Sequence, residues 1–582
     1  MLVADGAQKL QGEEAGGVQT GALERKRKVF FFEKKKQKAF VWAVACWSVS
    51  TRGFYTRGVT MPKVRDAAIL VLLCLALWLP GFFSLPPADR DESRFAQASK
   101  QMNETGDYVR IMNGAVPRNR KPIGIYWLQA AASSAVGPGL ANPIWPYRLP
   151  SLAGGLLAVL ATYAAGRRLT PHPMLAASML AASLILVTET HIAKTDAALL
   201  GVTTLAMAIL SRAWLAAPVA RWQAALFWLA TGSGILIKGP ITPMVVGLAA
   251  MTLCLWERRA AWLLALRPAW GAPLMLAIVL PWFAAIGLAT HGAFFTDAVR
   301  GDLAAKLSGG AEAHGGFPGE HLLLLPLLAF PATIPVLAAL PAAWRERRNP
   351  AARFLIAWAA PAWLVFEATP TKLPHYTLPL YPALFLLAAS AVPSGSPSLH
   401  RRLIRAAFAA ATLLIAAAAA ALPIMLHEPA WLGLPAALAA IGVFILVWRG
   451  RLPAAIAACV VLYAAILQFE LPRLGPIWIA PRVAAALRQS WPAWNPNGNG
   501  LALAGYAEPS LVFLTGTNTK LLPNGTSAAQ ELKSGRASMV VLADTELAAF
   551  KAATPASTLR ARISGFNYSR GRWVTLDLVS AD

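Results

Sequence analysis

Charge is scarce in this chain. Of its 582 residues only 14% are Asp, Glu, Lys or Arg, against 57% apolar, too few to solvate the surface of a globular protein of this size. That shortage excludes an ordinary soluble protein and leaves a polytopic membrane protein. Acidic residues are the scarcer sign, 28 against 53 basic ones, for a net charge of +25. Such an excess suits nucleic acid, yet the Lys and Arg residues lie mostly in short runs between apolar segments, as membrane topology requires. With no aromatic-basic recognition motif beside them, nucleic acid is not expected as a partner. Cysteine is nearly missing as well. Cys46, Cys74, Cys254 and Cys459 are scattered, three of them in apolar segments, with no CxxC and no His nearby, which leaves them as packing residues, neither disulfides nor metal ligands.

What is present is a series of apolar runs. The first spans about 66–83, and further ones fit 149–166, 173–189, 197–214, 223–237, 240–256, 271–289, 320–343, 353–368, 374–392, 403–425, 431–448 and 452–470, thirteen in all. Lys63 and Arg65 place the start of the first span in the cytoplasm by the positive-inside rule. Alternating from there puts Arg167–Arg168, Arg212, Arg221, 257–259, Arg345–Arg348, 400–402 and Arg449–Arg451 on that same face. The opposite, periplasmic face receives Asp91, Lys121, 188–196, the loops 84–147 and 291–319, 367–375 and everything after Glu470. Residues 1–60 differ from the rest, with RKRK at 25–28 and KKKQK at 34–38 flanking FFF. They read as a basic, disordered extension, compatible both with a cytoplasmic tail drawn to anionic lipid and with a mis-assigned start ahead of Met61.

Candidate chemistry collects in a polar island at 88–129, between membrane-grade segments. It holds Asp89, Asp91, Glu92, Lys121, Tyr126 and Trp127. Asp91 and Glu92 are adjacent, so on a helix they point about 100° apart; one faces the site while the other caps or orients, and Asp91 is the choice for catalysis. The stretch 92–104 reads as an amphipathic helix lying at the interface, with Phe95, Ala98 and Met102 on one face. Asp196, in ETHIAKTDAALLG, stands at the outer end of a span, as a second acid or as a helix N-cap. Lys121, Lys238 and Lys372 each lie close to a Pro at an outer span end. Together they form a cradle of point charges for a phosphate, although a snorkelling Lys accounts for each one singly. Tyr126 and Trp127 suit an interface belt. His314, His321 and His375 lack any HExxH-type spacing, so no metal centre follows from them. The loop 291–319, with Phe294 and Phe295 and then Gly309, Gly310, Gly315 and Gly316, fits a gate over a cleft as well as a plain connector.

Past Glu470 the composition falls to that of a soluble domain. LALAGY, LVFLTG, SMVVLAD followed by TELAAFKAA, and RWVTLDLVS after SRG read as strand, strand, strand-helix and hairpin strand. The segment 471–582 is therefore expected to be a small α/β domain outside the membrane, with no Walker or dinucleotide signature.

The motifs DRDESRFAQASKQMNETGDYV, RKPIGIYWLQ, KTDAALLG, LIKGPI, LPWFAAI and TKLPHYTLPLYPALFLL resemble those of bacterial lipid-linked sugar transferases, the aminoarabinose transferases of lipid A and the wider protein mannosyltransferase-like superfamily of GT-C fold. The resemblance runs from about 62 to 390. It implies a polytopic α-helical GT-C membrane domain over 61–470 and a glycosyltransferase of the bacterial inner membrane. The donor would be a polyprenyl-phosphate-linked sugar, and the acceptor, on the periplasmic side, lipid A or another envelope glycolipid. Carried over by motif, catalysis falls on Asp91, with Glu92 beside it, and on Asp196 as a second acid. The family's donor-phosphate Lys falls on Lys121. On charge grounds alone Lys238 or Lys372 would aid it, and Tyr126, Trp127, His375 and Tyr376 are the candidate substrate-binding residues. Relatives of the aminoarabinose branch often carry Phe-Glu before the Lys-Pro, the Glu being a metal-site residue; Asn119-Arg120 stand there in this chain. A divalent metal therefore stays an open expectation, as do protein or polysaccharide as acceptors. A transporter or flippase is the competing class, but transporters place ionisable groups near mid-membrane, often in repeated halves, and here the acids sit at span ends.

Overall fold

The structure is a computed structural model that describes residues 64–582 apart from 138–142, 301–314, 391–397, 496, 497, 499, 555 and 582. The basic extension 1–60, Cys46, His314 and the middle of the 291–319 loop lie outside the described residues. Helix occupies every one of the thirteen apolar stretches, since backbone in an apolar surrounding must satisfy its own hydrogen bonds. Among the described residues, seven helices are long and apolar enough to cross a membrane: Trp145–Leu169, Asp196–Trp214, Pro268–Ala289, Pro350–Ala368, Arg401–Met425, Ala430–Trp448 and Leu452–Arg473. An eighth is added if Pro173–Ala182 and Leu184–Thr190, bent by 60°, form one span.

Of the remaining stretches, 223–237 and 240–256 are the unbroken helices Arg221–Lys238 and Ile241–Glu257, and the other four are shorter or more broken than the apolar runs imply. The first helix, Val64–Trp78, stops 15 residues in. The stretch 320–343 divides into Glu320–Leu328 and Thr333–Arg345, with Pro331 in the break, unable to donate to the helical ladder. At the 60° bend the Leu184 N–H leaves its helix and donates to the Phe330 carbonyl at 3.1 Å. The stretch 374–392 opens as a 3-10 turn, Pro374–Leu380, before Tyr381–Ser390.

Helices Trp145–Leu169 and Asp196–Trp214 set the frame for the site. They touch backbone to backbone. A Cβ on Gly154 would stand 2.4 Å from the Ala198 Cα, and one on Gly201 would stand 2.6 Å from the Gly154 carbonyl oxygen. Small residues permit such an approach between helices in an apolar medium, and here it fixes where Asp196 begins its helix.

The loop after the first helix holds a helix over Asp91–Thr105, a two-residue hairpin (β1, Met112–Asn113; β2, Val116–Pro117) and a helix over Gly124–Val136. Phe95, Ala98 and Met102 share one apolar cluster with Ile125, Tyr126, Leu199, Leu236, Trp282 and Phe294. The opposite face is covered too, since Ser93, Ala96, Gln97 and Lys100 are buried. The helix is thus enclosed on both sides, not laid on a surface as the amphipathic pattern implies. Its second cover is the C-terminal domain, which sequence reasoning treats as separate.

That domain is a five-stranded sheet of β3 (Leu501–Ala504), β4 (Lys520–Leu522), β5 (Met539–Ala543), β6 (Thr558–Asn567) and β7 (Arg572–Ser580), in the order β4-β3-β5-β7-β6. The pairs β3/β4 and β3/β5 are parallel; β5/β7 and β6/β7 are antiparallel. Helices Gly525–Lys533 and Asp544–Ala553 cover one face. The other packs on Ile479–Ser490 and Pro509–Thr515, in a core that also takes in Ala96, Ile144, Tyr147 and Ala193. The Tyr147 ring meets the Phe513 ring edge-on at 5.5 Å. One expectation is overturned here: LVFLTG is helix, not strand. Pro509 starts the helix in its first turn and Gly516, at φ 109°, ends it.

A Gly154→Val substitution is expected to prise the two framing helices apart and to lower stability by about 1–3 kcal/mol, the usual cost of overpacking; thermal unfolding in detergent would show it as a lower midpoint.

Candidate functional site

The site is built on charges that the fold encloses. Glu92 is 1% exposed and so is Arg148. The Arg148 Nε and Nη2 donate to the two carboxylate oxygens of Glu92 at 2.8 and 2.9 Å, a two-pronged pairing that fits the guanidinium plane. Its remaining protons go to the carbonyls of Phe82, Leu85 and Pro86 at 3.2, 2.9 and 3.0 Å. Glu92 in turn accepts from the backbone N–H of Ala88 at 2.8 Å and of Ala193 at 2.9 Å. One ion pair therefore ties together the segment after the first helix, the start of the Asp91–Thr105 helix, the Trp145–Leu169 helix and the turn before Asp196. With both oxygens engaged, Glu92 holds its surroundings in place; reaction chemistry would have to break those contacts.

A second group of charges lies just beyond that turn. Lys194 Nζ stands 3.0 Å from a Glu189 oxygen and 3.7 Å from an Asp196 oxygen. Lys238 Nζ is hydrogen-bonded to the other Asp196 oxygen. His375 bridges the group: its Nδ1 is 3.3 Å from Lys194 Nζ and 3.8 Å from Glu189, and its Nε2 is 3.8 Å from Asp196. The ammonium of Lys238 also lies over the Tyr376 ring, 5.4 Å from its centre. Two carboxylates, two ammonium groups and one imidazole thus share a largely buried space, where each carboxylate is balanced by a cation.

The first-loop residues close on this group. Asp91 is exposed, and its charge reaches Lys194. Lys121 is half-buried, and its ammonium acts on His375. Asp196, Lys238, His375 and Tyr376 therefore form one cluster of contacts, and Asp91 and Lys121 lie within electrostatic range of it. The others fall elsewhere. Lys372 donates to the carbonyls of Glu367 and Thr369 at 2.8 and 2.7 Å, so it caps the C-terminus of the Pro350–Ala368 helix. Tyr126 is fully enclosed, its ring tilted against Phe95 at 5.3 Å and its hydroxyl accepting from Arg118 Nε at 3.1 Å. Trp127 is exposed, and its indole N–H donates to the Tyr108 carbonyl at 2.8 Å.

Sequence reasoning gave no role to Glu189, Lys194 or Arg148. For the first two a signal existed: Glu189, His191, Lys194 and Asp196 crowd four ionisable groups into eight residues of an otherwise apolar region, costly unless they pair. Arg148 gives none, being a lone cation at a helix start. For a metal, the fit is poor. Glu189 and Asp196, the two acids beside His375, are already balanced by Lys194 and Lys238, exposed Arg120 stands where the resembled motif has its metal-site Glu, and among the described residues no group of three or more His, Cys, Asp or Glu side chains is arranged to hold a metal ion. No step below is routed through a metal.

The overall architecture superimposes on crystal structures of ArnT from Cupriavidus metallidurans, with undecaprenyl phosphate bound (TM-score 0.69, 21% identity, covering 88% of this chain and 98% of that one) and in the apo state (TM-score 0.66, 22% identity, 89% and 98%). The chain accordingly has the GT-C fold of a multi-pass membrane protein, as the motif resemblance implies. Residues 67–293 match the family described as dolichyl-phosphate-mannose-protein mannosyltransferase. Curated relatives include the undecaprenyl phosphate-alpha-4-amino-4-deoxy-L-arabinose arabinosyl transferases of Pseudomonas paraeruginosa (28% identical over 332 residues, 54% of this chain and 56% of that protein) and of Pectobacterium carotovorum (27% over 381 residues, 59% and 62%). The match to the first of these spans 56% of its length.

Two outcomes follow from the charges. Arg148→Ala, which leaves Glu92 buried and unbalanced, is expected to cost about 3–5 kcal/mol and to lower the unfolding midpoint sharply in detergent. Asp89 offers a pH test. Burial, opposed by hydrogen bonding from Ser510 and reinforced by nearby Glu508, pushes its carboxyl from 3.8 up to about 6. Folding thus favours the protonated form, so the contribution of Asp89 is intact below about pH 4 and is lost as pH rises through about 6. Thermal midpoints recorded across that window should fall less in Asp89→Asn than in the native chain.

Proposed function

We propose that this chain is an inverting glycosyltransferase that moves a sugar from an undecaprenyl-phosphate donor to lipid A or another envelope glycolipid. The names of the curated relatives point to donor and reaction class. Within the chain itself, the supporting observation is the buried Lys194–Asp196–Lys238–His375 group, with Asp91 and Lys121 within electrostatic range of it. A phosphate leaving group needs fixed cations close by, and an attacking hydroxyl needs a base.

In this reading the acceptor oxygen attacks the anomeric carbon on the side opposite the lipid phosphate. The carbon–oxygen bond to phosphate breaks, its electron pair stays on the phosphate, and Lys121 offsets the charge that develops there. Asp91 takes the proton of an acceptor hydroxyl, a service worth about 10²–10⁴-fold; for an already ionised acceptor it positions instead. A single displacement inverts the configuration. Lys238 and Lys194 act one step back, holding Asp196 and through it the shape of the pocket. The segment 61–470 would carry the reaction and 471–582 would cover it. Thirteen crossings with the basic clusters in the cytoplasm would put both on the periplasmic side of the inner membrane.

Mass spectrometry of lipid A and of the polyprenyl-phosphate pool tests this in cells lacking the protein or restored with native, Asp91→Asn or Lys121→Ala chains. The expected result is a sugar missing from lipid A that only the native chain restores in full, with Lys121→Ala chiefly impairing donor use. Unchanged lipid A would move the acceptor to protein or polysaccharide, and full restoration by Asp91→Asn would remove Asp91 from the mechanism.

A further inference from the structure

The residue just ahead of Asp91 has an unusual backbone. Arg90 has φ 64° and ψ −101°, the mirror image of extended backbone, which glycine enters freely and other residues do not. Arg258 and Arg267 also have positive φ, but with ψ of 35° and 57° they sit in the common left-handed well. Arg90 does not. It precedes the Asp91–Thr105 helix without a side-chain cap, so its conformation fixes the direction in which Asp91 leaves the backbone. Strain of this kind persists only where the surroundings over-determine it.

They do so from two sides. From the membrane part, Glu92 accepts the Ala88 N–H at 2.8 Å, and Ser93 Oγ donates to the Ala88 carbonyl at 2.5 Å. From the C-terminal domain come three further bonds. The Asp89 N–H donates to Tyr568 Oη at 2.5 Å, the Arg90 guanidinium donates to the Ser569 carbonyl at 2.7 Å, and the Ser510 N–H donates to Asp89 Oδ1 at 3.2 Å. The β6–β7 turn that presents Tyr568 and Ser569 is itself pinned. Asn567 Oδ1 accepts from the backbone N–H of Ser569 and of Arg570 at 3.1 and 3.2 Å, and its Nδ2 donates to Glu508 at 3.0 Å.

We propose that the β6–β7 turn, through Tyr568 and Ser569, is a positioning device for Asp91, holding the strained Asp89–Arg90 step that aims its carboxylate. The inference rests on the reading of Asp91 as the group that faces the acceptor. Tyr568 is a positioning residue and touches no substrate in this scheme.

The test uses the full chain in proteoliposomes, with undecaprenyl-phosphate-linked 4-amino-4-deoxy-L-arabinose as donor and lipid A as acceptor. Tyr568→Phe should lower kcat about tenfold, the equivalent of about 1.4 kcal/mol, with donor KM and thermal midpoint unchanged and with faster hydrogen exchange at 88–94. In an Arg90→Gly background, where no strain needs holding, the same substitution should change kcat by less than about twofold. Native kcat and native exchange in Tyr568→Phe, or an equal loss in both backgrounds, would overturn the inference. Asp91→Asn, measured alongside, separates the two claims: an inactive Asp91→Asn with a fully active Tyr568→Phe defeats only the positioning role, whereas a fully active Asp91→Asn defeats the reading beneath it.

Discussion

A carboxylate kept ionised away from water must find a cation, and that requirement organises the structure around the site. Taking a charge into a low-dielectric interior costs several kcal/mol after relaxation, so Glu92 is bearable only because Arg148 meets both of its oxygens. Satisfying that one pair brings four chain segments to a single point. The same rule shapes the neighbouring group, where Lys194 and Lys238 balance Glu189 and Asp196. Asp91 stands one residue before Glu92 yet is exposed. Adjacent residues on a helix diverge by about 100°, which lets one carboxylate anchor the fold while the other stays exposed.

Much of this was legible in the chain, for reasons tied to particular residues. Long apolar runs have few structural outcomes, so helix could be expected at each of them. Their breaks could not, because the Leu184 N–H turns to the Phe330 carbonyl, a partner that no local pattern reveals. Asp91, Lys121, Asp196, Lys238 and His375 stood out as ionisable groups beside apolar segments, and the structure gathers them. Lys372 shared that pattern, yet its ammonium serves two carbonyls of its own neighbourhood, and backbone acceptors leave no mark in a sequence. LVFLTG failed as a strand because a short apolar run carries no decisive period; Pro509 in front of it was the better sign.

The Asn119-Arg120 departure also takes on physical meaning. Asn119 is buried, and its side-chain amide donates to Asp297 at 2.9 Å, linking the Lys121 turn to the short Ala293–Asp297 helix beside Phe294 and Trp282. At the position where the resembled motif implies an acid, this chain has the cation Arg120, and the residue before it tethers two loop segments through an amide.

The bond between Asp89 and Tyr568 joins residues 479 positions apart. A ribosome delivers the first of them long before the second, and domains fold broadly in the order of synthesis. Every membrane helix described here can be inserted and packed while the segment ahead of Asp91 still lacks its outer partner. On the proposed reading of Asp91 the protein would mature from its far end: the carboxylate would take its final aim only once the last hairpin had been made, and a nascent chain, although fully embedded, would stay idle until then.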